Sequence, residues 1–169
     1  MKEKKKNIIL IGMPGSGKST VGVVLAKKLG RRFVDCDLVI QEKCQKLLHQ
    51  LIEERGEAGF VMLENEINAS IETKCAVIAT GGSAVYGAEA MEHFKKIGQI
   101  VYLELAFEEL KERLGDLNER GVVLKKGMTL RELYAERVPL YERYADTVVA
   151  CTGREIRDVM EEIVERVKE

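Results

Sequence analysis

The residues best suited to chemistry lie in "GMPGSGKST", from Gly12 to Thr20. The spacing is G-x-x-x-x-G-K-[ST]. Gly12, Gly17, Lys18 and Ser19 hold the fixed positions, and Gly15, Ser16 and Thr20 complete the loop and the helix start. Glycines so spaced let the backbone curl until successive N–H groups point into one cavity, and the N-terminus of the next helix adds its positive end. Such a nest takes phosphate oxygens. Lys18 is expected to reach the β- and γ-phosphates, and the Ser19 hydroxyl to ligate Mg²⁺. The motif needs a strand before it and a helix after it. The apolar "NIILIG" and the amphipathic "STVGVVLAKKLG" supply both. The loop therefore reads as the seat of a nucleotide's phosphate tail. The Asn-Lys-x-Asp element by which a GTPase reads guanine is not in the sequence.

A second group follows in "FVDCD". Asp35 closes an apolar run and is placed to hold Mg²⁺ or its water. Asp37, two residues on, is expected on the same side of an extended chain. Two carboxylates there suit one metal and one acceptor hydroxyl. The structural alternative for Asp37 is the N-cap of a helix over "LVIQEKCQKLL".

The elements that must position these groups alternate along the chain. "NIILIG" (Asn7–Gly12), "RFVD" (Arg32–Asp35), "AVIAT" (Ala76–Thr80), "QIVYLEL" (Gln99–Leu105) and "DTVVA" (Asp146–Ala150) read as five short buried strands of a sheet covered on both faces. Amphipathic segments lie between them. One ends at Gly30 and one, "FEELKERLG", at Gly115. The last, "REIRDVMEEIVERVKE", puts Ile156, Val159, Met160, Ile163 and Val167 on one face. This alternation predicts an α/β fold with a parallel sheet and a single domain over residues 1–169. The polar stretch "LGDLNERGVVLKKGMT" (Leu114–Thr129) interrupts the pattern and is expected to be a lid.

Composition excludes several classes. The chain has 169 residues, 46% hydrophobic, with 27 basic and 28 acidic residues and a formal net charge of -1. That length buries a real core, and near-neutrality gives no support to a nucleic-acid partner. No apolar run approaches the ~18 residues that span a bilayer, and "NIILIG" is too short for a signal peptide. Cys36, Cys44, Cys75 and Cys151 form no Cys-x-x-Cys pair. They read as buried thiols of a reducing cytoplasm. His49 and His93 read as structural or surface residues, and Met91, Met128 and Met160 as ordinary core or loop methionines.

Taken together, "GMPGSGKSTVGVVLAKKLG", "FVDCD", "GEAGF…LE" (Gly56–Glu64), "VIATGGSAV" (Val77–Val85) and "RVPLY" (Arg137–Tyr141) resemble the shikimate kinase family over roughly Asn7 to Val167. The resemblance implies a P-loop, nucleoside-monophosphate-kinase-like fold: a three-layer sandwich around a five-stranded parallel sheet, with a lid. It implies ATP and Mg²⁺ as cofactors and transfer of the γ-phosphate to the 3-hydroxyl of shikimate. Lys18, Ser19 and Asp35 would then serve phosphate and metal. Asp37 would bind acceptor hydroxyls and take up the proton. Gly81 and Gly82 would offer backbone N–H groups, and Arg137 would pair with the carboxylate. Arg113 would pack on the adenine, and the turn at Thr152–Arg154 would close over the base, which brings in Arg154.

Three departures from the family pattern bear on the acceptor. Val61 stands where the family has an Arg after the Phe of "GExxF". Gly121 stands at the expected lid Arg, with Arg120 one position before it as a possible substitute. Ser83 replaces the third glycine. With the first Arg gone, Glu64 loses the partner it would orient. A charge-assisted bond of this kind is worth ~1.5–3 kcal/mol. Three readings follow. The first is a shikimate kinase. The second is a kinase of the same fold acting on another polyol, hydroxy acid or sugar acid. The third is a non-catalytic nucleotide-binding switch, against which the complete Lys18, Ser19, Asp35 and Asp37 set argues. A cytoplasmic monomer acting on a small molecule, with neither nucleic acid nor membrane as partner, is expected.

Overall fold

A computed structural model describes residues 6–115 and 127–167. Five strands, β1 (Asn7–Ile11), β2 (Arg32–Asp35), β3 (Ala76–Ala79), β4 (Gly98–Glu104) and β5 (Thr147–Ala150), form one sheet in the order β2-β3-β1-β4-β5. Every pairing is parallel. The first strand of the chain is thus the middle strand of the sheet. Asn7 at its head fixes it by side-chain bonds to the carbonyls of Thr73 (2.9 Å) and Ile97 (3.0 Å), and by accepting from the Ala76 N–H at 2.9 Å. β1 and β3 are buried along their whole lengths, as their unbroken apolar runs require. The expectation of five buried strands fails at β2 and β5. These are the outer strands, each with one neighbour, and most of their residues are partly or fully exposed.

The helices are α1 (Lys18–Leu29), α2 (Cys36–Cys44), α3 (Leu48–Ala69), α4 (Ala88–Ile97), α5 (Phe107–Leu114), α6 (Leu130–Tyr144) and α7 (Ile156–Arg166). A 3-10 turn at Ala84–Tyr86 leads from β3 towards α4. α1 packs on α7, and α3 packs on α2 and α4. A main core surrounds the sheet, and a smaller one gathers Ile40, Leu51, Phe60 and Ile67 between α2 and α3, with Val61 against it. Among the described residues no helix is long and apolar enough to cross a membrane.

Several local expectations are corrected. The helix expected over "LVIQEKCQKLL" breaks at Gln45, whose φ of 53° ends α2, and α3 starts at Leu48. "RVPLY" lies inside α6. Pro139 removes one helical hydrogen bond, yet α6 continues because Tyr141 stacks on Tyr102 at 5.1 Å and its hydroxyl donates to the Gly82 carbonyl at 2.6 Å. Ile156 is 42% exposed and lines a cavity, while Val159, Met160 and Ile163 carry the buried face of α7. Cys36 and Cys151 are buried as expected; Cys44 is half-buried, and Cys75 is exposed, carried outward on a turn with φ 54°. Most of the stretch expected to form a lid, with Arg120 and Gly121, lies outside the described residues.

Candidate active site

The loop after β1 turns through Gly17, whose φ of 96° is left-handed and favours glycine. Lys18 opens α1 and folds back into the loop. Its Nζ donates to the Gly12 carbonyl at 2.7 Å and the Met13 carbonyl at 2.8 Å, and the residue is 7% exposed. Burial pulls the ammonium down to about 8, against the carboxylate of Asp37, which raises it. The Ser19 hydroxyl donates to Asp35 Oδ2 at 3.2 Å. Asp35 Oδ1 accepts the N–H groups of Asp37 (2.9 Å) and Leu38 (3.4 Å), so Asp35 is the N-cap of α2. The extended geometry expected for Asp37 is therefore wrong, and so is its role as a cap. Asp37 sits in the first turn of a helix that starts at Cys36. It still reaches the same cavity, of about 380 Å³, as Lys18, Ser19, Thr80 and Gly81. Burial raises its pKa, and Asp35 raises it further.

At the end of β3 the backbone comes close to three other elements. A Cβ on Gly81 would lie 2.8 Å from Glu64 Oε2 and 2.9 Å from Asp37 Oδ1. A Cβ on Gly82 would lie 2.5 Å from the Pro14 ring and 3.1 Å from an Arg137 terminal nitrogen. Side chains at 81 and 82 would thus displace the groups that meet there. Arg137, in the middle of α6, is 1% exposed. Its Nε donates to the Tyr86 hydroxyl at 3.3 Å, and its guanidinium stands 5.2 Å from the Tyr86 ring centroid. Arg137 is therefore a buried residue of α6 and not a surface one. Glu64, on α3, accepts from the Ser83 hydroxyl at 2.6 Å through Oε1. Burial pushes its carboxyl up to about 7, the Ser83 bond opposing the rise.

On the far side of the loop a cavity of about 430 Å³ is lined by Gly15, Ser16, Thr20, Arg113 and Arg154. It shares Gly15, Gly17 and Thr20 with the first cavity, so the two make one trough bent over the loop. Arg113 donates to the Gly15 carbonyl at 3.2 Å and to Glu109 at 3.1 Å. Arg154 donates to the Ala150 carbonyl at 2.7 Å and to Glu162 at 2.8 Å. Glu109 also accepts the Gly153 N–H at 3.0 Å, joining both walls. Nothing in the local pattern of Glu109 and Tyr86 separates them from ordinary helix and turn residues, whereas Tyr141 closes the "RVPLY" motif.

The chain as a whole matches a known family. A sequence profile described as shikimate kinase matches residues 14–168. The chain belongs to the shikimate kinase family. A shikimate kinase of Francisella tularensis subsp. novicida is 39% identical over 164 residues, covering 95% of this chain and 93% of the relative. The shikimate kinase of Acinetobacter baumannii, solved in complex with shikimate, superposes with a TM-score of 0.87 at 33% identity, covering 98% of this chain and 94% of the other. That of Aquifex aeolicus gives 0.77 at 32%, with 95% of each chain covered. Thymidylate kinase of Candida albicans, 13% identical with a TM-score of 0.59, shares the fold alone. The expected α/β fold, the P-loop kinase architecture and the ATP-dependent kinase class all hold.

Proposed function

We propose that this chain transfers the γ-phosphate of ATP to a hydroxyl of shikimate, giving shikimate 3-phosphate. The observation that carries the acceptor is Arg137. A guanidinium buried to 1% exposure, with a terminal nitrogen against the Gly82 backbone, puts fixed positive charge at the edge of a glycine-backed cradle that also holds Asp37, and a carboxylate on a hydroxylated ring suits both groups. On this reading Lys18 and the loop N–H groups hold the polyphosphate, and the arriving anion restores the charge that burial takes from Lys18. Asp37, its basicity raised by burial, orients the acceptor hydroxyl and takes its proton. Arg113 and Arg154 flank the base.

The metal position fits the residues present. Ser19 Oγ and Asp35 Oδ2, 3.2 Å apart, are hard oxygen donors of the kind Mg²⁺ takes. Mg²⁺ there would neutralise charge on the β- and γ-oxygens. Chemistry of this type needs positioning and charge more than a covalent step, and the residues of the trough offer both. The same reading takes the protein as a cytoplasmic monomer without nucleic-acid or membrane partners; near-neutral charge supports the exclusion of nucleic acid.

ADP release from Mg-ATP, measured with and without millimolar shikimate, tests the proposal. Strong stimulation is expected. Intact ATP binding without stimulation would favour the second reading, another small hydroxylated acceptor, to which apolar Val61 on the α2–α3 cluster would belong.

A further inference from the structure

Glu64 is a buried carboxyl behind Gly81, at the wall of the trough, that the proposed chemistry leaves unused. It is 1% exposed. Oε1 is taken by the Ser83 hydroxyl at 2.6 Å, whereas Oε2 has no hydrogen-bond partner among the described residues. A buried polar atom with no partner costs stability unless something fills it. The direction of Oε2 says where the partner must come from. It lies 2.8 Å from the point where a Gly81 Cβ would stand, and Asp37 Oδ1 lies 2.9 Å from the same point. Two carboxyl oxygens therefore flank the bare Cα of Gly81, which lines the 380 Å³ cavity together with Asp37. Val61, one helical turn before Glu64 on α3, packs into the α2–α3 cluster and brings no charge to it. Nearby charged and titratable groups come from Lys18 on α1, Cys36 and Asp37 on α2, and Arg137 and Tyr141 on α6.

Resting on the acceptor proposed above, we infer that Glu64 is a specificity-determining residue that donates a hydrogen from Oε2 to the acceptor hydroxyl next to the one Asp37 takes. Two oxygens so close to one point bind adjacent hydroxyls best as one acceptor and one donor, since two anions there would repel. Burial favours the proton on Glu64, whose carboxyl is pushed up to about 7. The cradle then selects for a vicinal diol carrying an anion. Its grip weakens as Glu64 ionises.

The test is the pH dependence of the shikimate KM, with kcat measured alongside, for the unsubstituted chain and for Glu64→Gln. Glutamine can accept from Ser83 and still donate at the Oε2 position, so it mimics the neutral acid at every pH. For the parent, KM is expected to rise roughly tenfold from pH 6 to pH 8 with little change in kcat, the factor given by one proton lost through a pKa near 7. For Glu64→Gln it should stay flat and low across that range. A carbon-13 titration of the Glu64 carboxyl, assigned by loss of its signal in the variant, should show the same midpoint without substrate. Parent turnover with a flat KM, a KM that falls as pH rises, or a Glu64 midpoint in the ordinary carboxyl range overturns this inference and leaves the proposed reaction standing. Absence of shikimate turnover in the parent overturns the acceptor assignment and this inference with it.

Discussion

Arg137→Met probes the acceptor site most directly. The guanidinium is buried, and one terminal nitrogen stands 3.1 Å from where a Gly82 Cβ would be, so it faces the cradle backbone. If it pairs with the acceptor carboxylate, removing it forfeits a charge-assisted contact of ~1.5–3 kcal/mol. That corresponds to a rise in shikimate KM of roughly ten- to hundredfold. Methionine fills most of the same volume, but taking one member from a set of buried charged groups costs stability, so the melting temperature should fall while the protein stays folded. Tyr86 would lose the Arg137 Nε donor but keep its own bond to Glu136 at 2.6 Å. The KM for ATP should stay within about twofold, because Arg137 lines neither wall of the base cavity. Arg137→Lys should recover only part of the loss, since an ammonium cannot reproduce the planar fork. Initial rates at varied shikimate and saturating Mg-ATP, with a melting curve for each variant, are the assay. A shikimate KM within twofold of the parent, in a folded Arg137→Met protein, refutes the reasoning.

Lys18→Ala should abolish transfer while the fold persists, seen as lost turnover with an unchanged circular dichroism spectrum; near-normal turnover would overturn the phosphate-loop assignment. Asp35 separates two roles. Asparagine still caps a helix, so Asp35→Asn should keep its melting temperature yet need more Mg²⁺ for half-maximal rate, whereas Asp35→Ala should also lose the cap, about 1 kcal/mol or a few degrees. Glu64 makes stability fall with pH. Its folded pKa of about 7 lies above the ordinary unfolded value, so between the two the folded state holds a proton that the unfolded state has released. Stability from this group declines as pH rises through that window. Glu64→Gln should therefore melt higher than the parent at pH 8 and closer to it at pH 5, as scanning fluorimetry at the two values would read.

The loop and the sheet were legible for the same reason. Gly12, Gly17, Lys18 and Ser19 act through local backbone geometry, and apolar strand runs declare burial on both faces. What stayed hidden depends on residues far apart in sequence. Nothing near Gln45 announces a left-handed turn, and Asp35 takes the cap because the chain bends one residue earlier than an extended reading assumes. The resemblance gives Arg137 a carboxylate to pair with, but no local pattern declares its burial. Its burial follows from Tyr86, Tyr141 and Gly82 closing around it. Glu64 was weighed only through an absent arginine, whereas its surroundings come from Ser83, Gly81 and Asp37. Exposure of Cys75 and the partial exposure of β2 and β5 likewise follow from position in the sheet and on turns, which composition does not encode.

The place of β1 also sets a condition on birth of the protein. Its neighbours on either side are β3 and β4, and its register reaches Val77 on one and Tyr102 on the other. A ribosome adding about 5–20 residues per second therefore spends several seconds extending the chain before the strand that carries the phosphate loop can be flanked. Through that interval "NIILIG" has α1 to pack on but neither of its sheet neighbours. The nucleotide cannot template the early stages, because the scaffold of its own seat is still being translated.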